Sequence, residues 1–418
     1  MSKIVIAGGN KLEGKIKIDG AKNAVLPILA ATVLNGGKNV IHNCPELKDV
    51  LSTLEILKFL GCKVKKNGMT ITVDSSDINE YHIPEHLMRE MRSSIIFLGS
   101  IISRCRKAVI SYPGGCEIGP RPIDLHLKAL RQLAININDT RGYINCSVDQ
   151  IKSEDIHLTF PSVGATENVM LAAVMAKGET VIRNAAKEPE ICDLQNYLNA
   201  MGAKVSGAGT SLIRIEGVSK LHNVEYTVIP DRIAAATYLT ASAITGGTVE
   251  ITDVVAEHIQ AVLAMLKECG CKIRIREKSI TLSRHSVLQP VEMIRTLPYP
   301  GFPTDSQAPM MALLSLAKGT SIIAETIFEN RFKHVEELVK MGANIKIDGR
   351  VAVVKGVEKL LGATVNATDL RGGAALVIAG LAADGVTTID SIYHIDRGYE
   401  KIEEKLAILG ANIKRTES

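Results

Sequence analysis

Met201-Gly202-Ala203-Lys204-Val205 closes one apolar helix and opens one alternating strand, and the same pattern returns along the whole chain. It reads Leu60-Gly61-Cys62-Lys63-Val64, Cys269-Gly270-Cys271-Lys272-Ile273, Met341-Gly342-Ala343-Asn344-Ile345 and Leu409-Gly410-Ala411-Asn412-Ile413. A degenerate copy, Leu133-Ala134-Ile135-Asn136-Ile137, fills the remaining gap, so the motif recurs every 68 to 73 residues. Glycine just past the last apolar helical position is a helix stop, and the residues after it alternate as a strand. Upstream of each copy lies a helix rich in Ala and Leu followed by a short β-run, as in Ala234–Thr245 before Thr248–Thr252. Each unit therefore reads helix–strand–helix–strand–strand.

Six such units are too long and too mixed for a solenoid. Their first helices are apolar on most faces, which predicts buried helices with sheets outside. The expected fold class is α/β, in two domains of three repeats each. Two β-runs, Lys3–Ala7 and Lys15–Asp19, precede the first repeat and must complete one domain. They are assigned to the C-terminal one, giving a domain of 1–20 plus 230–418 and a second of 21–229. The chain then crosses between domains at Gly20-Ala21 and Ile229-Pro230, where Gly and Pro suit hinges.

Composition bounds the function. The chain has 418 residues, 46% apolar and 22% charged, with a formal charge of +4 and no Trp. No basic block or aromatic-basic interleaving is present, so no nucleic-acid partner is expected. The longest apolar runs, such as Ser94–Ile102, fall short of a membrane span, and the start lacks a signal-peptide pattern, so a cytoplasmic protein without membrane association is expected. Cys269-Gly-Cys271 has no second ligand pair at metal spacing; neither a metal site nor a cofactor is expected. Gly9-Asn-Lys-Leu-Glu-Gly14-Lys15 mimics a P-loop, but Ile16 stands in the Ser/Thr position and a strand follows where a helix is required.

Chemistry concentrates elsewhere. Pro113-Gly114-Gly115-Cys116-Glu117-Ile118-Gly119-Pro120-Arg121-Pro122 packs three glycines and three prolines into ten residues, writing an irregular loop with one thiol and one guanidinium. A thiol beside a fixed cation and free backbone N–H groups can become reactive. The helices open on polar or charged residues: Lys22-Asn23, Arg92-Ser93-Ser94, Ser162-Val163-Gly164, Asp231-Arg232, Thr304-Asp305-Ser306 and Asp369-Leu-Arg371, with Arg331 and Asp396-Arg397 at second helices. A cation at a helix N-terminus opposes the macrodipole at about 0.3–1 kcal/mol, and repeating that cost argues for a bound anion. Asp305 reads either as a helix cap or as a general base beside that anion. His126 and His394 read as structural.

Together, the two sets of three repeats, Lys22-Asn23, the Cys116 loop, Phe302-Pro-Thr-Asp305 and Asp396-Arg397-Gly-Tyr-Glu400 resemble the UDP-GlcNAc enolpyruvyl transferases over essentially the whole chain. The resemblance implies two inside-out α/β domains, each of three βαβαββ-like repeats with buried helices and outer sheets, and transfer of enolpyruvyl from phosphoenolpyruvate to the 3-hydroxyl of UDP-N-acetylglucosamine, with release of phosphate. It further implies that Lys22, Arg121 and Arg397 hold phosphoenolpyruvate, with Arg92, Arg331 and Arg371 nearby. Asn23, Asp305 and Ile327 would meet the amino sugar, Asp305 taking its 3-OH proton. Arg121, Pro122, Ile123, Asp124 and Leu125 with Ser162, Val163 and Gly164 would line the nucleotide. Cys116 matches the family's proton donor and the site alkylated by fosfomycin. The alternative on the same fold is 3-phosphoshikimate 1-carboxyvinyltransferase-like activity, and a different-class alternative is an inactive regulatory paralogue.

Overall fold

The structure, a computed structural model, describes residues 2–114 and 123–417. The signature glycines end their helices for a steric reason. Gly61, Gly202, Gly270, Gly342 and Gly410 stand at φ of +98, +97, +93, +91 and +94°, a region open to glycine and closed to most side chains. In the degenerate copy Ala134 takes the same turn at φ +64°, in the left-handed region. Each turn delivers the chain into an edge strand: Lys63–Asn67, Asn136–Thr140, Lys204–Ser206, Lys272–Arg276, Asn344–Asp348 and Asn412–Thr416.

Among the described residues the strands form six four-stranded sheets of one design. In one, Thr248–Thr252 pairs antiparallel with Ser279–Ser283, which pairs antiparallel with Lys272–Arg276. On its other side Thr248–Thr252 pairs in parallel with Glu13–Lys17. That fourth, parallel strand is the leading strand of a βαβαββ repeat; the helix–strand–helix–strand–strand pattern lacks it, and four of its copies are only two or three residues long: His82–Ile83, Asp155–His157, Met293–Arg295 and Thr364–Asn366. The second N-terminal strand also lies two residues earlier than Lys15–Asp19. Its Ile16 sits opposite Ile251, facing the core, and Asp19 instead accepts the Asp231 N–H through its carbonyl (2.8 Å).

The backbone gathers into two units, one of residues 2–19 with 230–417, the other of the described residues between 20 and 229. In the first, Lys3–Ala7 lies antiparallel between Val386–Asp390 and Asn412–Thr416, taking the place that the second hairpin strand holds in the other sheets. The start of the chain thus closes the sheet begun by its end. In the second, Val224–Thr227 closes the sheet of Lys38–His42 in the same parallel sense as Glu13–Lys17 closes its own.

Each unit has its own core. In the first, helices Arg232–Thr245, Gln307–Leu314 and Leu370–Ala382 pack on one another, and nearly every residue of all three is buried. Ala and Gly in Gly372-Gly-Ala-Ala375 and Ala379-Gly380 allow close approach, while Thr237, Thr240 and Ser315 satisfy their buried hydroxyls by donating to the carbonyls of Ile233, Ala236 and Met311 (2.8–2.9 Å). In the second unit Phe97–Cys105 packs between Lys22–Ala31 and Val163–Ala173. Sheet faces alternate, as in Thr248–Thr252, whose Val249 and Ile251 are fully buried. Helices lie inside and sheets outside: the architecture is inside-out α/β.

Candidate active site

In the first unit the Pro-rich stretch Pro298–Pro303 leads into a single 3-10 turn, Thr304–Ser306, ahead of the helix Gln307–Leu314. Asp305 is the middle residue of that turn, and no side-chain cap is made there. The capping explanation of this carboxylate is therefore corrected: Ser306 intervenes as N-cap, and Asp305 points at two arginines instead. Arg331 Nη2 donates to its Oδ1 (2.7 Å) and Arg371 Nη2 to its Oδ2 (3.1 Å). Both arginine side chains are nearly fully buried (4% and 3% exposed), whereas Asp305 keeps 27% of its side-chain surface open. A carboxylate held from behind by two buried cations and open in front suits contact with a polar substrate.

The arginines are themselves fixed. Asp369 caps the helix Leu370–Ala382, its Oδ1 accepting from the N–H groups of Arg371 (2.9 Å) and Gly372 (3.1 Å), and its carboxylate lies 3.6 Å from Arg331 Nη1. Burial pushes the Asp369 carboxyl up, but Arg331, His334 and the two backbone amides outweigh it and hold the group below its ordinary range. The Arg371 guanidinium lies over the Tyr399 ring (5.2 Å to the centroid), and the Tyr399 hydroxyl is 2.8 Å from Thr237 Oγ1. Arg397 ends the 3-10 helix Ile392–Arg397 rather than opening a helix, so the argument from an opposed dipole does not apply to it. Its neighbour Asp396 takes two hydrogen bonds from Arg415 (2.9 and 2.6 Å), which also holds Glu403 (2.6 and 3.2 Å).

His334 is fully buried beside this cluster, and burial pulls its imidazole down to about 4 from an ordinary 6.5, with Asp369 opposing and Arg331 assisting. The folded state therefore binds fewer protons at His334 than the unfolded chain between those values. Its stabilising contribution is complete above pH 6.5 and is lost as pH falls toward 4. Melting temperature is expected to drop across that window, and His334→Gln to flatten the slope; equal slopes for the two proteins would refute the assignment.

In the second unit Lys22, the first residue of Lys22–Ala31, is buried and paired with Asp49 (2.7 Å), also buried. Lys22 is thus charge-balanced by a carboxylate, as are Arg331 and Arg371, and the helix-dipole cost alone does not demand an anion at these three sites. Asp49 is a residue that sequence reading missed: it lies in the first turn of Lys48–Phe59, with no local signal. Asn23 follows Lys22 in the helix, and the turn Arg92–Ile96 packs against that same helix. Ser162 caps Val163–Ala173, its Oγ accepting the Ala165 N–H (3.3 Å). Ile123 is buried, and Asp124 and Leu125 open the helix Asp124–Gln132. A Cβ on Gly164 would come within 2.9 Å of the His126 ring, which accepts a hydrogen bond from Asn168 Nδ2 (2.8 Å), so the Asp124 and Ser162 segments meet there.

Cys116, Arg121 and Pro122 lie outside the described residues. Gly114, the last described residue before them, donates its N–H to the Met88 carbonyl (3.1 Å), and a Cβ on it would stand 2.0 Å from the Arg89 carbonyl oxygen. Only glycine fits that approach. Within the first unit the structure brings together Asp305, Arg331 and Arg371; Ile327 lies on the segment between Glu325 and Arg331. Among the described residues no group of three or more His, Cys, Asp or Glu side chains is placed to hold a metal ion, and no helix is long and apolar enough to cross a membrane.

The solved enolpyruvyl transferase NikO from Streptomyces tendae superposes with a TM-score of 0.90 at 25% identity, covering 100% of this chain and 99% of that one. EPSP synthase from Acinetobacter baumannii shares the fold with a TM-score of 0.77 at 20% identity, covering all of both chains. The family model described as EPSP synthase (3-phosphoshikimate 1-carboxyvinyltransferase) matches residues 6–406. UDP-N-acetylglucosamine 1-carboxyvinyltransferase 2 of Caldanaerobacter subterraneus subsp. tengcongensis is 56% identical over 99% of this chain and 100% of that protein. UDP-N-acetylglucosamine 1-carboxyvinyltransferase 1 of Symbiobacterium thermophilum is 55% identical over 99% of this chain and 95% of that protein. The chain belongs to the UDP-N-acetylglucosamine 1-carboxyvinyltransferase family of enolpyruvyl transferases.

Proposed function

We propose that this chain transfers the enolpyruvyl group of phosphoenolpyruvate to the 3-hydroxyl of UDP-N-acetylglucosamine and releases phosphate, in the cytoplasm, as the first committed step of bacterial peptidoglycan synthesis. The observation that carries the reading is Asp305: a partly open carboxylate oriented by two buried guanidiniums, in a chain more than half identical to relatives named for this reaction. The domains are assigned as 1–20 with 230–418, carrying Asp305 and Arg397, and 21–229, carrying Lys22 and Cys116.

The chemistry is addition followed by elimination. The Cys116 thiol gives a proton to the methylene carbon of phosphoenolpyruvate, leaving C2 electrophilic. The sugar 3-oxygen forms a bond to C2 as its proton passes to Asp305, giving a tetrahedral ketal that still carries phosphate. The Cys116 thiolate then takes a proton from the new methyl group as the C2–O bond to phosphate breaks, its electron pair leaving with phosphate, and the double bond is restored. Lys22, Arg121 and Arg397 hold the phosphate and carboxylate, with Arg92, Arg331 and Arg371 adding positive potential, so charge moving onto phosphate meets fixed cations. Asn23 and Ile327 contact the sugar; Pro122, Ile123, Asp124, Leu125, Ser162, Val163 and Gly164 line the nucleotide. No metal or cofactor takes part in this scheme.

Phosphate release from phosphoenolpyruvate is expected with UDP-N-acetylglucosamine as acceptor and absent with shikimate 3-phosphate. Turnover only with the shikimate ester would reassign the acceptor, and none with either would support a regulatory paralogue.

A further inference from the structure

Glu325 stands immediately after the strand Thr320–Ala324 and is only 1% exposed, yet among the described residues it has no Lys or Arg within ion-pairing distance. A buried carboxylate without a cation is costly unless hydrogen bonds replace its water. Four do. Oε1 accepts from Thr296 Oγ1 (2.8 Å), from the Ile327 N–H (2.8 Å) and from the Phe328 N–H (3.2 Å), and Oε2 accepts from Thr304 Oγ1 (2.9 Å). Thr296 Oγ1 in turn accepts from the Thr326 N–H (2.9 Å).

The donors come from three separate segments. Thr296 follows the strand Met293–Arg295, Thr304 opens the turn that carries Asp305, and Ile327 and Phe328 lie on the way to Arg331. Arg331 then closes a ring by donating to Asp305. One carboxylate therefore fixes the turn that holds the proposed base and the backbone of the residue proposed to meet the sugar. We propose that Glu325 is a positioning residue for the acceptor sugar, setting Asp305 and Ile327 at a fixed separation; this rests on the acceptor reading above. A hydrophobic residue in its place would take the acceptor away from two backbone N–H groups and two hydroxyls, that of Thr296 fully buried.

The test compares Glu325→Ala, Glu325→Gln, Thr304→Val and Thr304→Ser by steady-state kinetics, varying UDP-N-acetylglucosamine and phosphoenolpyruvate separately. Wild-type turnover with the sugar nucleotide first checks the acceptor reading on its own. Glu325→Ala is expected to raise KM for the sugar nucleotide about 10- to 100-fold, the scale of losing hydrogen bonds to a buried charge, with KM for phosphoenolpyruvate unchanged. Glu325→Gln should recover most of the loss, because its amide oxygen still accepts from Ile327 and Phe328 and the Thr304 hydroxyl can turn to accept from its NH₂. Thr304→Val removes a single bond from the network and should show the same one-sided split more weakly, with Thr304→Ser restoring it. Should Glu325→Ala fail to fold, the Thr304 pair decides alone. Equal changes in both KM values, or Thr304→Val indistinguishable from wild type, would overturn the proposal.

Discussion

Cys116→Ser is expected to turn over roughly 10²–10⁴ times more slowly than wild type, the range lost when a general acid is removed. A serine hydroxyl has the right size and can donate a hydrogen bond, but it does not give up a proton near neutral pH. Cys116→Asp places a titratable proton at the same point of the loop and is expected to retain a usable fraction of activity. The same pair separates acid from nucleophile toward fosfomycin, an epoxide that needs the sulfur: wild type should be inactivated and the Asp variant spared. Equal losses in the Ser and Asp variants, read by phosphate release, would remove the thiol from proton transfer.

Asp305→Asn is the second large effect expected. The amide keeps the shape, and its oxygen can still accept from one arginine, but it cannot take the 3-OH proton, and its NH₂ faces a guanidinium that can only donate. Loss of the base alone predicts a fall in kcat of roughly 10²–10⁴. Because Arg331 and Arg371 are nearly fully buried, loss of their shared carboxylate also leaves buried positive charge uncompensated, and a lower melting temperature should accompany the kinetic loss. Wild-type kcat in Asp305→Asn would make the residue a counter-ion for the arginines and nothing more.

The sequence carried the fold through its repeats. A glycine or alanine at a left-handed turn every 68 to 73 residues marks each passage from second helix to edge strand, and the structure keeps all six. The leading parallel strands were legible only in part: one was read as Lys15–Asp19, two residues late, and four others, at two or three residues, carry no period of their own. The site divided along the same line. Asp305 was visible as a carboxylate after Phe302-Pro-Thr, but its partners lie 26 and 66 residues away, so local reasoning offered a helix cap. The 3-10 turn, by inserting Ser306, turned that cap into an ion-pair centre. Asp49 and Glu325 were invisible for a related reason: each acts through contacts between segments, Asp49 on Lys22 and Glu325 on Thr296, Thr304 and Ile327.

The central claim is that this chain protonates the methylene of phosphoenolpyruvate and joins its C2 to the sugar oxygen. A mass spectrum of the UDP-N-acetylglucosamine pool after turnover in D₂O tests it most directly. The account predicts an acceptor heavier by an enolpyruvyl group with deuterium in its vinyl methylene, because a solvent-exchanged proton enters at that carbon before one leaves. An enolpyruvyl product free of deuterium would contradict the protonation step, and an acceptor of unchanged mass would contradict the transfer itself.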